Sequence, residues 1–279
     1  MRSQHLILGS VGLALLLSLY FFGRTTPPKK QIAASPETSK ATVLSSEQVI
    51  QMSKQKLSAA QLTKVEQLEN AVVRGDVKEQ KIKTYGQLAS YYRDSINALL
   101  PYAYYTAEAA KLESIEKKLT FAAHLFFDRL RDQPDPQLRN WMALQSKELF
   151  EKALEMNPGN DSNKVSLGST YIFGNVGANP MDGILMIREV ADRDPHNLYA
   201  QMMLGIGGVM TGQFDKAIDR FKKVVDHQPD NLEALLNLAE AYEQKGDKSS
   251  AIKWYEQCRK LIQNPEILKE LDKRIQSLK

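Results

Sequence analysis

The sequence predicts an all-α protein, a solenoid of helical hairpins behind an N-terminal transmembrane helix. Three observations in its 279 residues carry that expectation: residue types that return at a spacing of 34, apolar stripes at helical spacing on either side of glycine breaks, and one uncharged apolar run near the N-terminus. Leu204 returns as Leu238, Gly212 as Gly246, Ala217 as Ala251, and Phe221 as the aromatic Tyr255. A period in this range marks stacked supersecondary units. One unit alone has too little apolar surface to offset its chain entropy, so units stack, and the stack presents a long concave face.

The residue types inside one period explain the hairpin. Leu235, Leu238, Ala239 and Tyr242 lie at i, i+3, i+4 and i+7, the stripe of a first helix. Lys245-Gly246-Asp247 breaks it, and Ala251, Ile252, Tyr255 and Cys258 form the stripe of a second. Ala217 and Ala251 are small enough to let the two helices of their units approach closely.

These residues resemble the tetratricopeptide repeat. Phe214-Asp215-Lys216-Ala217-Ile218, followed by Phe221 and Pro229, matches its alanine, aromatic and proline positions, and the unit before it offers Leu167-Gly168, Tyr171, Ile187, Val190 and Pro195. Pro158 to Pro195 spans 37 residues where Pro195 to Pro229 spans 34, so the earlier unit carries three extra, placed in the turn-rich stretch 174–180. Upstream, Phe121-Ala122-Ala123 with Phe126 fits a first helix and Phe150, Ala153 and Pro158 its partner, joined by a longer loop around Gln133-Pro134-Asp135-Pro136. The resemblance implies repeats at about 115–160, 161–197, 198–231 and 232–265. The segment 46–114 reads as helical and as a degenerate repeat, with Tyr85, Leu88, Ala89 and Tyr92 on its first helix and residues 102–110 on its second. Six of the chain's eleven tyrosines fall between Tyr85 and Tyr105, which at helical spacing is a packing pattern before it is a binding one. Residues 266–279 form a terminal capping helix in which Ile267, Leu268, Leu271 and Ile275 make the apolar face.

Leu6 to Phe22 is a run of 17 residues without a charge, about 25 Å as a helix, near the lower limit for crossing a bilayer. It ends Leu19-Tyr20-Phe21-Phe22-Gly23-Arg24, an aromatic edge of the interfacial kind rather than the small residues of a cleavage site. The expectation is an uncleaved single-pass anchor over 1–23, with a soluble exported form after signal cleavage as the alternative. A very short basic tail before the run suits export of the chain beyond it and places the repeats on the periplasmic or extracytoplasmic side. Arg24, Lys29 and Lys30 after the run argue for the cytoplasmic side, and the two cues stay in conflict. Ser10, Ala14 and Ser18 carry the small-residue spacing of membrane-helix dimers, a weak pointer to a homodimer through the anchor. Residues 24–45, rich in Pro, Lys, Ser and Thr, read as a flexible spacer.

Composition bounds the function. With 37 Lys and Arg against 33 Asp and Glu, the net charge is +4 and the signs are interspersed, so no nucleic-acid stripe is expected. His5, His124, His196 and His227 fall in no zinc-binding spacing, and no metal, cofactor or catalytic constellation is expected. Gly205-Ile206-Gly207-Gly208 lacks the third glycine of a dinucleotide loop and lies within a helix; close helix packing explains it, with Gly208 standing where the repeat family has an aromatic. The expectation is therefore a scaffold, not an enzyme, although a regulatory subunit of a partner enzyme would read the same way.

The resemblance also implies where a protein or peptide partner would sit: on first-helix residues that point away from the packed stripe. Those positions are Ser162, Val165, Ser169, Ile172 and Phe173 in one unit and Tyr199, Met202, Met203, Ile206, Val209 and Met210 in the next. The last unit supplies Glu233, Leu236, Asn237, Glu240, Glu243 and Gln244, so the groove is expected to be apolar in the middle and acidic at its end. A methionine-rich surface adapts to apolar partners. The same apolar positions would equally serve packing between neighbouring repeats, and the sequence leaves both open.

Overall fold

The computed structural model describes residues 44–74, 77–176 and 180–279, and these belong to one compact unit. Every regular element among them is helical: α1 (Ser46–Lys54), α2 (Ala59–Arg74), α3 (Lys78–Tyr91, continued by a π-helical turn Tyr92–Ile96), α4 (Leu99–Glu113), α5 (Glu116–Phe127), α6 (Pro136–Met156) and α7 (Asp161–Gly174). Next come α8 (Pro180–Arg193), α9 (Leu198–Met210), α10 (Phe214–His227), α11 (Leu232–Lys245), α12 (Lys248–Leu261) and α13 (Pro265–Leu278). From α2 onward each packs chiefly on its neighbours in sequence, as a stack of hairpins requires, while α1 packs on α4. The expected anchor over 6–22 and nearly all of the expected spacer lie outside the described residues; among those described, no helix is long and apolar enough to cross a membrane.

Asparagine opens the first helix of each later unit. Asn160, Asn197 and Asn231 each accept a hydrogen bond from the backbone N–H three residues on, and Asn264 caps α13 in the same manner. The side-chain oxygen satisfies an N–H that has no partner inside the helix, and it does so at every turn where the chain re-enters the stack. Between the two helices of a unit the chain needs a left-handed residue: Gly212 (φ 72°) and Gly246 (φ 89°) supply it in two units, and Asn175 (φ 49°) in the unit with the longer connection.

Small residues set how closely paired helices approach. A Cβ on Gly183 of α8 would lie 2.2 Å from the carbonyl oxygen of Gly168 on α7, and a Cβ on Gly205 of α9 would lie 2.4 Å from the Phe221 ring on α10. Ala217 and Ala251 are fully buried at the corresponding places in their units. Cys258 is a packing residue of α12; burial pushes its thiol up to about 12, away from the reactive thiolate form.

The N-terminal helices carry a separate apolar cluster formed by Ile50, Val65, Leu88, Ala89, Tyr92 and Tyr105. The tyrosine-rich segment is therefore core: Tyr92 and Tyr105 are buried and stack with ring centroids 5.7 Å apart, and the Tyr105 hydroxyl donates to Glu69 Oε1 at 2.6 Å. At the other end α13 buries Leu271, Ile275 and Leu278, while Ile267, expected on the apolar face, is exposed. It borders an open hollow between α13 and the two helices before it, which leaves it uncovered.

Burial raises the phenols of Tyr92 and Tyr105 well above their ordinary range and pushes Tyr104 up to about 12. In the unfolded chain these groups ionise near pH 10. The folded state holds their protons longer, so its stability is complete below that pH and falls as pH rises through it. The thermal midpoint is expected to hold steady from neutrality to about pH 9 and to drop above about pH 10. Ellipticity should be lost together with the rise of tyrosinate absorbance; free titration of all the tyrosines before any loss of helix would show that the cluster is not buried.

Candidate partner-binding cleft

The first helices of successive hairpins, α5, α7, α9 and α11, touch one another in sequence as well as packing on their own partners, and so form one layer of the stack. A cleft of about 470 Å³ opens on this layer. Phe127, Phe173, Tyr199 and Met203 contribute its apolar wall, and His124, Asp128, Arg131 and Glu233 its polar rim.

Phe127 reaches the cleft because consecutive residues on a helix point about 100° apart. Phe126 is buried edge-on against Trp141, with ring centroids 5.5 Å apart. Its neighbour Phe127 turns the other way, onto Phe150 at 5.9 Å and Phe173 at 6.3 Å. Arg131, in the loop after α5, lies 5.7 Å over the Phe173 ring and ion-pairs with Glu233 of α11 at 3.0 Å. This pair spans the rim from the first of the four hairpins to the last. Its side chains are 44% and 57% exposed, so it contributes at most about 1 kcal/mol and opens readily. His124 Nδ1 and Asp128 Oδ1 stand 3.1 Å apart on the same rim.

Tyr199 is half-buried in the wall, and its hydroxyl shares a hydrogen bond of 2.9 Å with Ser166 Oγ. Burial raises its phenol above the ordinary range, the Ser166 hydrogen bond opposes this, and the Asp128 and Glu233 carboxylates add to the rise. The proton stays on the oxygen, and the hydroxyl serves as a fixed polar point in an otherwise apolar wall.

The predicted groove residues divide. Ser162, Phe173, Tyr199, Met203 and Glu233 border the cleft. Met202 and Ile206, placed in the groove with a packing role left open, are only 6% and 5% exposed and belong to the main core, as does Met203 at 8%, although it also borders the cleft. The reason is the close approach of α9 to α7, α8, α10 and α11, which leaves a narrow edge of the helix free. Met210 is exposed at the end of α9, outside the cleft.

The acidic end changes as well. Glu243 is not free to meet a partner: Arg274 of α13 ion-pairs with it at 2.7 Å, and the Tyr255 hydroxyl donates to it at 2.9 Å. Asn237 is half-buried and donates to the Glu233 carbonyl at 2.8 Å, within its own helix. Glu240 is exposed, makes no ion pair among the described residues, and borders a separate hollow with Leu236, Ile267 and Leu271 at the junction with α13.

His124, Phe127, Asp128 and Arg131 were missed by the sequence reading. A signal for Phe127 was present, since two adjacent phenylalanines on one helix cannot share a core face. No local signal marks Arg131, whose partner is 102 residues away. Among the described residues no group of three or more His, Cys, Asp or Glu side chains is placed to hold a metal ion.

Stacked helical hairpins with a cleft on their first-helix layer define an α-helical solenoid. Residues 209–271 match the tetratricopeptide repeat family, and this stretch of the chain is a tetratricopeptide-repeat array. No curated protein matches the chain. Among solved structures, a MamA fragment from Desulfovibrio magneticus RS-1 is similar at 18% identity, covering 67% of this chain and 96% of its own, with a TM-score of 0.47. A second MamA structure gives 16% identity, 64% and 91% coverage and a TM-score of 0.45. YrrB, described as a tetratricopeptide-repeat protein with an unusual peptide-binding site, gives 18% identity, 68% and 91% coverage and a TM-score of 0.44.

Proposed function

We propose that this chain is a non-catalytic scaffold that holds a protein or peptide partner in the first-helix cleft, and that residues 6–22 anchor it to a membrane in an envelope-assembly or quality-control setting. The observation that carries the binding half is the cleft itself: aromatic and methionine side chains walled by four helices, under a rim whose one strap is a weak surface ion pair. An extended segment with an apolar side chain between polar neighbours fits this wall and rim. The membrane half rests on the uncharged run and its aromatic edge.

The test uses the full chain with a photo-crosslinking residue in place of Asp128 on the rim, and in place of Lys253 on α12 as a control. After irradiation of the membranes at neutral pH, followed by a carbonate wash, a discrete adduct is expected from the Asp128 position alone. Adducts at neither position, or equally at both, would sink the cleft; recovery of the chain in the carbonate-soluble fraction would sink the anchor.

A further inference from the structure

The glycines of α9 leave a second, smaller opening. Gly208 takes the place of the repeat's aromatic, and a cleft of about 60 Å³ lies beside it, floored by Gly207, Gly208, Ile172 and Leu204. A water needs about 10–15 Å³ of such space, so this one admits the head of one side chain and no folded segment. Three cations border it: Arg188 from α8, and Lys216 and Arg220 from α10. No acidic residue borders it.

These cations differ from the paired ones along the stack. Lys164, Arg193, Lys245, Arg259 and Arg274 all pair with carboxylates of a neighbouring helix or hairpin. Arg188, Lys216 and Arg220 form no ion pair among the described residues. Lys216 Nζ donates to Gln213 Oε1 at 2.9 Å, and Arg220 Nη1 donates to Gln201 Oε1 at 2.7 Å. Gln201 is fully buried and donates in turn to the Pro195 carbonyl at 3.0 Å, so it holds the guanidinium in place through one nitrogen and leaves the others unassigned. Three like charges gathered at one opening with no counter-charge repel one another, and an anion placed among them relieves that. Arginine presents a planar donor fork suited to a carboxylate, and Ile172, Ile184 and Leu204 beside it suit the carbon stem that carries one.

We infer that this cleft receives the carboxylate of an Asp or Glu side chain from a protein partner, with an apolar neighbour of that residue lying against the aliphatic floor. The site does not depend on the first-helix cleft; Met203 alone borders both. A partner could occupy both sites or either one.

The probe is a fluorescein-labelled peptide of alternating leucine and glutamate, with its glutamine counterpart as control, titrated by anisotropy into the full-length chain in detergent. The glutamate peptide is expected to bind, to weaken with salt, and to shift the amide signals of Gly207 and Gly208 in a glycine-labelled sample. Arg188→Glu with Lys216→Glu, both exposed positions, is expected to weaken it at least about tenfold. Arg131→Glu on the other cleft is expected to leave it unchanged. Equal binding by the double variant, equal binding of the glutamine peptide, or unmoved Gly207 and Gly208 signals would overturn the inference. Loss with Arg131→Glu alone would assign the peptide to the first-helix cleft instead. Displacement of the peptide by inorganic phosphate at equal concentration would replace a carboxylate site with a phosphate one.

Discussion

Met202→Glu is expected to unfold the second and third hairpins rather than to weaken a binding surface. Met202 is 6% exposed within the main apolar core, on a helix enclosed by four others. A carboxylate there loses its hydration and gains no cation. The adjacent Gln201 is already committed to the Pro195 carbonyl and to Arg220. An unpaired buried charge costs several kcal/mol, and about 4 is expected here, a large share of what holds a small domain together. Met202→Leu, which keeps the volume, should cost less than about 1.5 kcal/mol. Because a solenoid loses stability locally, the urea transition should broaden or split for the glutamate variant while the leucine variant keeps the parent's shape. Circular dichroism of the full chain through a urea series makes the comparison. An unchanged transition for Met202→Glu, accompanied by loss of a crosslinked partner, would restore α9 as an open binding face.

Gly183→Ala carries the second large effect, and its sign is set by a contest between two magnitudes. Replacing glycine by alanine inside a helix ordinarily favours folding by about 0.5–1 kcal/mol. At Gly183 the new Cβ would stand 2.2 Å from the Gly168 carbonyl oxygen and 2.9 Å from Tyr171 Cβ. The first obstacle is backbone, which cannot swing aside, so α7 and α8 must separate along their length. Overpacking of this kind costs about 1–3 kcal/mol and outweighs the propensity gain. Gly86 in α3 gives the control: nothing lies within 4 Å of its Cβ position, so Gly86→Ala should stabilise by the propensity term alone. The thermal midpoint is expected to fall for Gly183→Ala and to rise slightly for Gly86→Ala. A rise for both would mean that α7 and α8 do not cross at these glycines. Ala217→Leu tests the same contact one unit on, where the Cβ of Ala217 is 3.1 Å from the Cβ position of Gly208.

How far each feature was legible in the sequence depends on the distance over which it is determined. The hairpins were legible because helix spacing, the glycine breaks and the small residues act within a few turns. Ala217, Ala251 and Cys258 were assigned to packing on that basis and are fully buried. The caps at Asn160, Asn197 and Asn231 are equally local, and they recur at the start of each unit.

The first-helix cleft was only half legible. Position in the repeat says which residues point away from their own hairpin, but not whether the next hairpin covers them. Met202 and Ile206 satisfy the first condition and are buried by the second. Charge pairing fails in the same manner: Glu243 looked free until α13 brought Arg274 to it. The sequence by itself thus determined the units, their order and the apolar or charged character of each face. Tertiary structure decided which faces stay open, because the cumulative rotation from one hairpin to the next depends on how closely glycine and alanine let each pair of helices approach. That rotation brings Arg131 to Glu233 across 102 residues, and no local pattern records it.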